Sequence, residues 1–390
     1  MVEYDPFAAE IRKDPLPAYA ELRRDSPAYY LPKYDAWALS RFEDIWAYSS
    51  DPRFSAAQGT APAQVLVKEQ PLTPMLNVMD PPEHTRLRGA IRKSFLPANV
   101  RALEPMVREI FERRLDTALE QGGCDIVQDL AAPLSVQVAC HAIGLPPEDG
   151  PMLTELVGRF FSHDPDEQGM AASGLAALTE LTDYCTLRAR QRRRETPDGP
   201  QALDALIRFE LDGRQFDDEE IGSHLTMLVI GGSETFPKTL ANGIVRLWEH
   251  PDQRASLATD PSGIPDAYDE ILRYDMPTQF LCRTLIDDVE IHGRELRAGQ
   301  GVMFLYASAN RDEREFDEPD VFDIGRRASR FLSFGAGTHA CLGTHVARME
   351  GRITLDSILS RCPDYDVDFD GAERLRTEFV QGYARLPVVF

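Results

Sequence analysis

The sequence predicts a mainly α protein with a small β portion, and three observations carry that expectation. Apolar residues recur with a 3.6-residue period from about residue 83 to residue 260, where helix-type spacing outnumbers strict alternation by a wide margin. Short strand-like runs mix with helices in the first hundred residues and return only after residue 278. No Gly/Ser-rich linker, low-complexity block or internal repeat divides the 390 residues, so a chain whose length alone would suggest two or three domains is read as one domain, 1–390.

In chain order, Ala28–Leu31 and Ala36–Leu39 flank Pro32-Lys33-Tyr34-Asp35 and read as a hairpin. Arg41–Ser49 follows as an amphipathic helix. Residues 57–79 are rich in Pro, Ala and Gln and long for a connection, which marks a functional or mobile segment rather than a tight turn. Helices are expected at Glu83–Phe95, Val100–Gln121, Leu134–Ile143, Gly169–Arg194 and Asp218–Glu249. Arg188, Arg190, Arg192, Arg193 and Arg194 read as a solvated helix end, because the helix dipole favours cations there and Thr196-Pro197-Asp198-Gly199 stops the helix. Strands return at Gln279–Leu285, Val302–Leu305 and Leu386–Phe390.

With 43% apolar residues the chain can bury a large core. Residues 1–30 hold no membrane-spanning apolar run and no charged-then-apolar leader pattern, so a soluble, cytoplasmic protein is expected. A formal net charge of −22 disfavours nucleic acid and anionic membrane as partners. The six cysteines, Cys124, Cys140, Cys185, Cys282, Cys341 and Cys362, have neither close pairs nor zinc-type spacing, which suits reduced thiols. Nothing in the sequence demands more than a monomer.

Residues 331–343, Phe-Leu-Ser-Phe-Gly-Ala-Gly-Thr-His-Ala-Cys-Leu-Gly, hold the strongest chemical signal. Gly335 and Gly337 give the backbone freedom and let a flat ligand approach, and Cys341 falls where a helix begins and negative charge is favoured. A thiolate fixed in such a loop can serve as an axial ligand to haem iron. Two other readings are a glycine turn with an inert cysteine and a nucleophile activated by His339. The second places its base only two residues away on a tight turn, with no third orienting group.

Phe334, Gly335, Gly337, His339, Cys341 and Gly343 match, without a gap, the haem-binding signature Phe-Gly-x-Gly-x-His/Arg-x-Cys-x-Gly, and the chain here resembles the cytochrome P-450 family. At usage of about 5% per position, six fixed positions match by chance on the order of once in 10^8 windows. The resemblance implies a single triangular-prism-like, mainly helical body, heme b, and an axial thiolate from Cys341. The lack of an anchor-like run in residues 1–30 resembles the family's soluble bacterial class.

Other motifs support the resemblance. Gly231-Gly232-Ser233-Glu234-Thr235 resembles the family's oxygen-binding motif, in which the glycines open a groove and an acid–alcohol pair steers the protons that splitting O₂ consumes. Glu234 and Thr235 are therefore the expected catalytic residues. Pro237 departs from the common pattern and predicts a kink, because it cannot donate to the carbonyl of Ser233. Glu270 and Arg273, at i and i+3, resemble the family's Glu-x-x-Arg pair, with Arg326, Arg327 or Arg330 as the third member. Residues 310–322 resemble the meander before the cysteine loop.

Haem propionates need cations or strong donors. The resemblance assigns that task to His84 and Arg88 in Asp80–Arg88, to Arg283 in Gln279–Arg283, and to His339. Electrons must come from a partner, since no flavin or nicotinamide fingerprint and no cluster-type cysteine spacing occurs. Arg88, Arg92, Lys93, Arg330, Arg348 and Arg352 form an expected basic patch for an acidic ferredoxin-type donor with its reductase. The implied reaction inserts one atom of O₂ into a small apolar organic substrate. Pocket residues are expected in 57–79, 157–170, 229–235, 277–281 and 380–383. A peroxide-driven enzyme and a haem-binding sensor are the rival readings, and the Glu234-Thr235 pair argues against both.

Overall fold

The structure, a computed structural model, describes residues 3–68, 74–161 and 171–390. Long helices dominate: Glu104–Gln121, Ala132–Ile143, Ala172–Arg193, Asp218–Ser233, Thr235–Glu249 and Thr344–Arg361. The Asp218–Ser233 helix starts with a reciprocal cap. Asp217 accepts from the Glu220 N–H at 2.8 Å, and the Glu220 carboxylate accepts from the Asp217 N–H at 2.9 Å. Expected helix 100–121 is two helices, Pro97–Arg101 and Glu104–Gln121, because Pro105 has no N–H to continue the first and fits the opening turn of the second. Residues 169–170 of the expected helix 169–194 lie outside the described residues.

The β portion centres on a five-stranded sheet in the order Ala28–Leu31, Ala36–Leu39, Gly301–Phe304, Leu281–Leu285, Phe54–Ser55. Its first two strands are the expected hairpin, paired Ala28 to Leu39. Gly301–Phe304 runs parallel to Ala36–Leu39 and antiparallel to Leu281–Leu285, which places Val302 opposite Arg283. The C-terminal Pro387–Val389 strand pairs with Gly123–Asp125.

Among the described residues three apolar clusters fill the interior. One joins Glu104–Gln121, Thr235–Glu249, Ile264–Tyr274 and Thr344–Arg361; another fills the space under the five-stranded sheet. The third lies between Ala132–Ile143, Gly150–Phe160, Ala172–Arg193 and Asp218–Ser233. Ile126–Ile143 is apolar and long enough to cross a membrane, but 67% of it is buried inside the protein, as in a core helix.

The arginine run does more than end a helix. Arg192 grips Asp204 with two bonds of 2.7 Å, Arg193 bonds Asp218 and the Phe216 carbonyl, and Arg188 reaches Asp149. These bonds tie the helix end to three neighbouring segments.

Candidate functional site

The loop before the Thr344–Arg361 helix is folded by its own backbone. Gly335 and Gly337 adopt φ +63° and +64°, left-handed values that favour glycine. The Cys341 N–H then donates to the Phe334 carbonyl at 2.7 Å, closing the loop. Phe334 packs against Phe331 and lies under the Arg348 guanidinium.

Cys341 opens to solvent, whereas Cys140, Cys185, Cys282 and Cys362 are buried and Cys124 is half-buried. Protein atoms crowd the Cys341 thiol nonetheless. Burial raises its thiol above the ordinary value, while the Gly343 N–H, the Thr344 hydroxyl and the Arg88 guanidinium act in the opposite sense. Those donors favour the thiolate. Burial also pushes the Cys124, Cys140 and Cys185 thiols up to about 12, which leaves them inert.

Beside Cys341 the fold gathers His84, Arg88, Arg283 and His339 from three remote segments. His84 and Arg88 lie on one face of the Glu83–Ile91 helix, and Arg283 lies on the Leu281–Leu285 strand. The rings of His84 and His339 lie against each other with centroids 4.1 Å apart, tilted by 30°. Arg88 donates to the Ala340 carbonyl, and Arg283 to the Cys282 carbonyl at 2.7 Å. Burial, then Arg88, lower His84 to about 4; burial, then Arg283, His84 and Arg88, lower His339 to about 3. Burial thus makes His339 a weak base, which counts against the nucleophile reading.

This cluster is rich in donors, and among the described residues no carboxylate bonds to it. His84 is 1% exposed and neither ring nitrogen has a partner. Among the described residues neither Arg88 nor Arg283 forms an ion pair with a carboxylate. Buried donors left in this way call for an anionic ligand. A flat group carrying two carboxylates, set over the Cys341 sulfur, fits the donor set.

Asp218–Glu249 is not one kinked helix but two helices separated at Glu234, which has φ −101° and ψ −38°. Pro237 cannot donate to the Ser233 carbonyl, so the first helix stops; in the first turn of the second its missing N–H costs nothing. The Ser135 hydroxyl donates to the Gly232 carbonyl at 2.7 Å beside the break. Gly231, Gly232 and Thr235 are exposed, whereas Ser233 and Glu234 are buried, so the break presents two glycines and a hydroxyl to solvent and turns the acid inward.

Glu270 accepts two bonds of 2.8 Å from Arg273 and one of 3.2 Å from Arg326. Arg326 is thus the third member; Arg327 pairs with Asp266, and Arg330 with Glu315 and Glu43. Asn310, which the sequence reading missed, links this network to the cysteine loop. Its carbonyl oxygen accepts from the Leu332 N–H at 2.7 Å, its amide donates to Ser333 at 2.8 Å, and its backbone carbonyl accepts from Arg273.

Several expected pocket segments meet. Thr278 bridges Val380, Gln381 donates to the Pro277 carbonyl, and Cys282 donates to the Thr60 carbonyl. Residues 69–73 and 162–170 of the expected pocket lie outside the described residues. The expected basic patch is largely engaged: Arg88 turns inward, Arg330 and Arg348 pair with Glu315 and Asp269, and Arg352 pairs with Glu104. Arg92 and Lys93 stay exposed.

The helical fold and the donor-ringed, solvent-open cysteine define a haem-thiolate protein. A sequence model of the family described as Cytochrome P450 matches residues 266–373. The chain is 36% identical to the putative cytochrome P450 123 of Mycobacterium tuberculosis (strain ATCC 25618 / H37Rv), over 98% of this chain and 96% of that protein. It is 34% identical to the vitamin D(3) 25-hydroxylase of Pseudonocardia autotrophica, over 99% of this chain and 96% of that protein. Its fold matches that of a mutant of P450 EryK in complex with erythromycin B, with TM-score 0.87 and 31% identity over 98% of this chain and 97% of that one. The chain belongs to the cytochrome P450 family. It is a haem-dependent monooxygenase with a cysteine thiolate as axial ligand.

Proposed function

We propose that this monooxygenase acts on an apolar small molecule, with electrons supplied by an acidic ferredoxin-type donor and its reductase. Bound haem supplies O₂ activation, and the thiolate favours O–O cleavage. The chain's own residues do the rest. Cys341 gives the sulfur, held by the Phe334–Gly343 loop; His84, Arg88, Arg283 and His339 hold the two propionates; Gly231 and Gly232 leave room for O₂. Thr235 positions ordered water, and the Glu234 carboxyl behind it exchanges protons with that water. The observation that carries this reading is the unpartnered His84, buried beside two arginines that have no carboxylate partner among the described residues.

Residues 57–68, 74–79, 277–281 and 380–383 join into one wall in this reading, and they frame the substrate. Similar proteins include a vitamin D(3) 25-hydroxylase, a steroid C26-monooxygenase and a mutant enzyme in complex with erythromycin B, all named for, or solved with, large substrates or ligands. A steroid-sized apolar molecule is therefore the first class to screen. The donor docks on the side of Arg92 and Lys93, and the chain works in the cytoplasm as a single domain and a monomer.

The test is a ligand screen read as a spin-state shift, followed by turnover with ferredoxin, reductase and NAD(P)H. Oxygenated product from the ferredoxin system, falling as salt rises, supports the reading. Turnover with peroxide alone, and none with the ferredoxin system, contradicts it.

A further inference from the structure

The acid at the helix break is tied to a residue that the oxygen-binding motif does not contain. Lys238, one turn beyond Glu234, places Nζ 2.7 Å from the Glu234 carboxylate, and the two side chains are 7% and 11% exposed. Lysine is almost never buried unless paired, so its place inside the fold depends on this carboxylate. Glu234 stands at the N-cap of the helix that carries Lys238, and the four-residue spacing brings the two side chains together.

The fold also makes room for the lysine stem. Gly382, on the Gln381–Arg385 strand, faces it, and a Cβ added there would stand 2.8 Å from Lys238 Cβ and 3.2 Å from Cδ. Any larger residue at 382 would push the lysine off its course. The same strand belongs to the pocket wall described above. Its Arg385 is engaged by Asp125 at 3.3 Å, and the Ala132–Ile143 helix offers Ser135 to the Gly232 carbonyl. Lys238 is the only charged group among the described residues that acts on Glu234.

We infer that Lys238 is a positioning residue, which holds the Glu234 carboxylate turned inward behind Thr235 so that the acid reaches the solvent-open side only by leaving the lysine. The inference rests on the reading of Glu234 as a proton carrier. Burial raises the Glu234 carboxyl, and Lys238 pulls it back toward ionisation. A carrier must both release and regain its proton, and the lysine keeps the ionised half of that cycle available.

The test uses the haem-loaded protein and its K238M, K238R, E234Q and E234Q/K238M forms. In the resting ferric state, the infrared carbonyl band of protonated Glu234 is isolated by subtracting the E234Q spectrum and followed against pH. Removing a cation in contact with a carboxylate moves its titration upward by about one to three units, so K238M raises this midpoint by at least about one unit and K238R restores it. Product formed per electron falls at least about threefold in K238M at neutral pH and recovers as pH rises. In the E234Q background, removing Lys238 adds no further loss. If K238M does not fold, K238Q is read in the same way. A K238M midpoint and pH profile that coincide with the parent overturn the inference, as does further loss in E234Q/K238M. If E234Q itself leaves product per electron unchanged, the proton-carrier reading fails separately, whatever the infrared midpoint shows.

Discussion

Replacing Glu270 with glutamine tests how the cysteine loop is held. Glu270 and Arg273 have side chains 2% and 0% exposed. Glu270 also accepts from Arg326 at 3.2 Å and from the Asp323 N–H at 3.1 Å, so one carboxylate collects donors from three positions. Glutamine keeps the shape but removes the charge. Arg273 would still donate to the Asn310 and Pro319 carbonyls at 2.7 and 3.0 Å, yet its cation would remain buried without a counter-charge. Breaking a buried pair in this way costs about 3–5 kcal/mol. Because Asn310 bonds Leu332 and Ser333, the loss should reach the cysteine loop. Urea unfolding followed by far-UV circular dichroism and by the haem Soret band measures both effects. E270Q should lose about 3–5 kcal/mol, with the Soret change preceding global unfolding. R327A is the control: its partner Asp266 is 39% exposed and Arg327 itself 77% exposed, so the change should stay within about 0.5 kcal/mol. An E270Q protein within about 1 kcal/mol of the parent refutes the reasoning.

Three further outcomes are expected. His84, lowered from 6.5 to about 4, binds its proton more weakly when folded, so the unfolded chain takes up protons first on acidification. That contribution, about 3 kcal/mol for His84, is present above pH 6.5 and is lost as pH falls toward 4. In haem-extracted protein, H84Q should therefore lose less stability than the parent between pH 7 and 5, and parallel urea midpoints would count against the assignment. P237A restores a donor for the Ser233 carbonyl, so the two helices should join and product per electron should fall; unchanged coupling would contradict a role for the break. At Gly335, with φ +63° and no neighbour nearer than 3.9 Å to an added Cβ, alanine meets only a backbone penalty of about 1–2 kcal/mol, and a far larger loss in a melting experiment would show that space, not φ, requires the glycine.

The cysteine loop was legible because its requirements are local: two left-handed glycines, a helix start and a thiol within a dozen residues. The 28–39 hairpin and the Arg41–Ser49 helix were legible for the same reason, the helix spanning Phe42–Tyr48 in the structure. Choosing Arg326 over Arg327 needed the tertiary fold, since the two are adjacent in sequence and diverge only when Arg327 adopts φ +51° and turns toward Asp266. The basic patch was overestimated because the acids that engage Arg348 and Arg352, Asp269 and Glu104, are far away in the chain. Short strands such as Glu210–Leu211 and Arg214–Gln215 give too few residues for a period to register. Lys238 had a signal, the i, i+4 spacing from Glu234, but only burial distinguishes it from an ordinary surface pair.

Every role assigned above depends on Cys341 ligating haem iron as a thiolate. The direct measurement is the carbon monoxide difference spectrum of the reduced, haem-loaded protein, taken beside C341H. The parent should show the strongly red-shifted Soret band of a thiolate-ligated carbonyl complex and C341H should lose it, with haem still bound through the new imidazole. A parent spectrum without that band, or a C341H protein that retains it, would rule out Cys341 as the thiolate ligand.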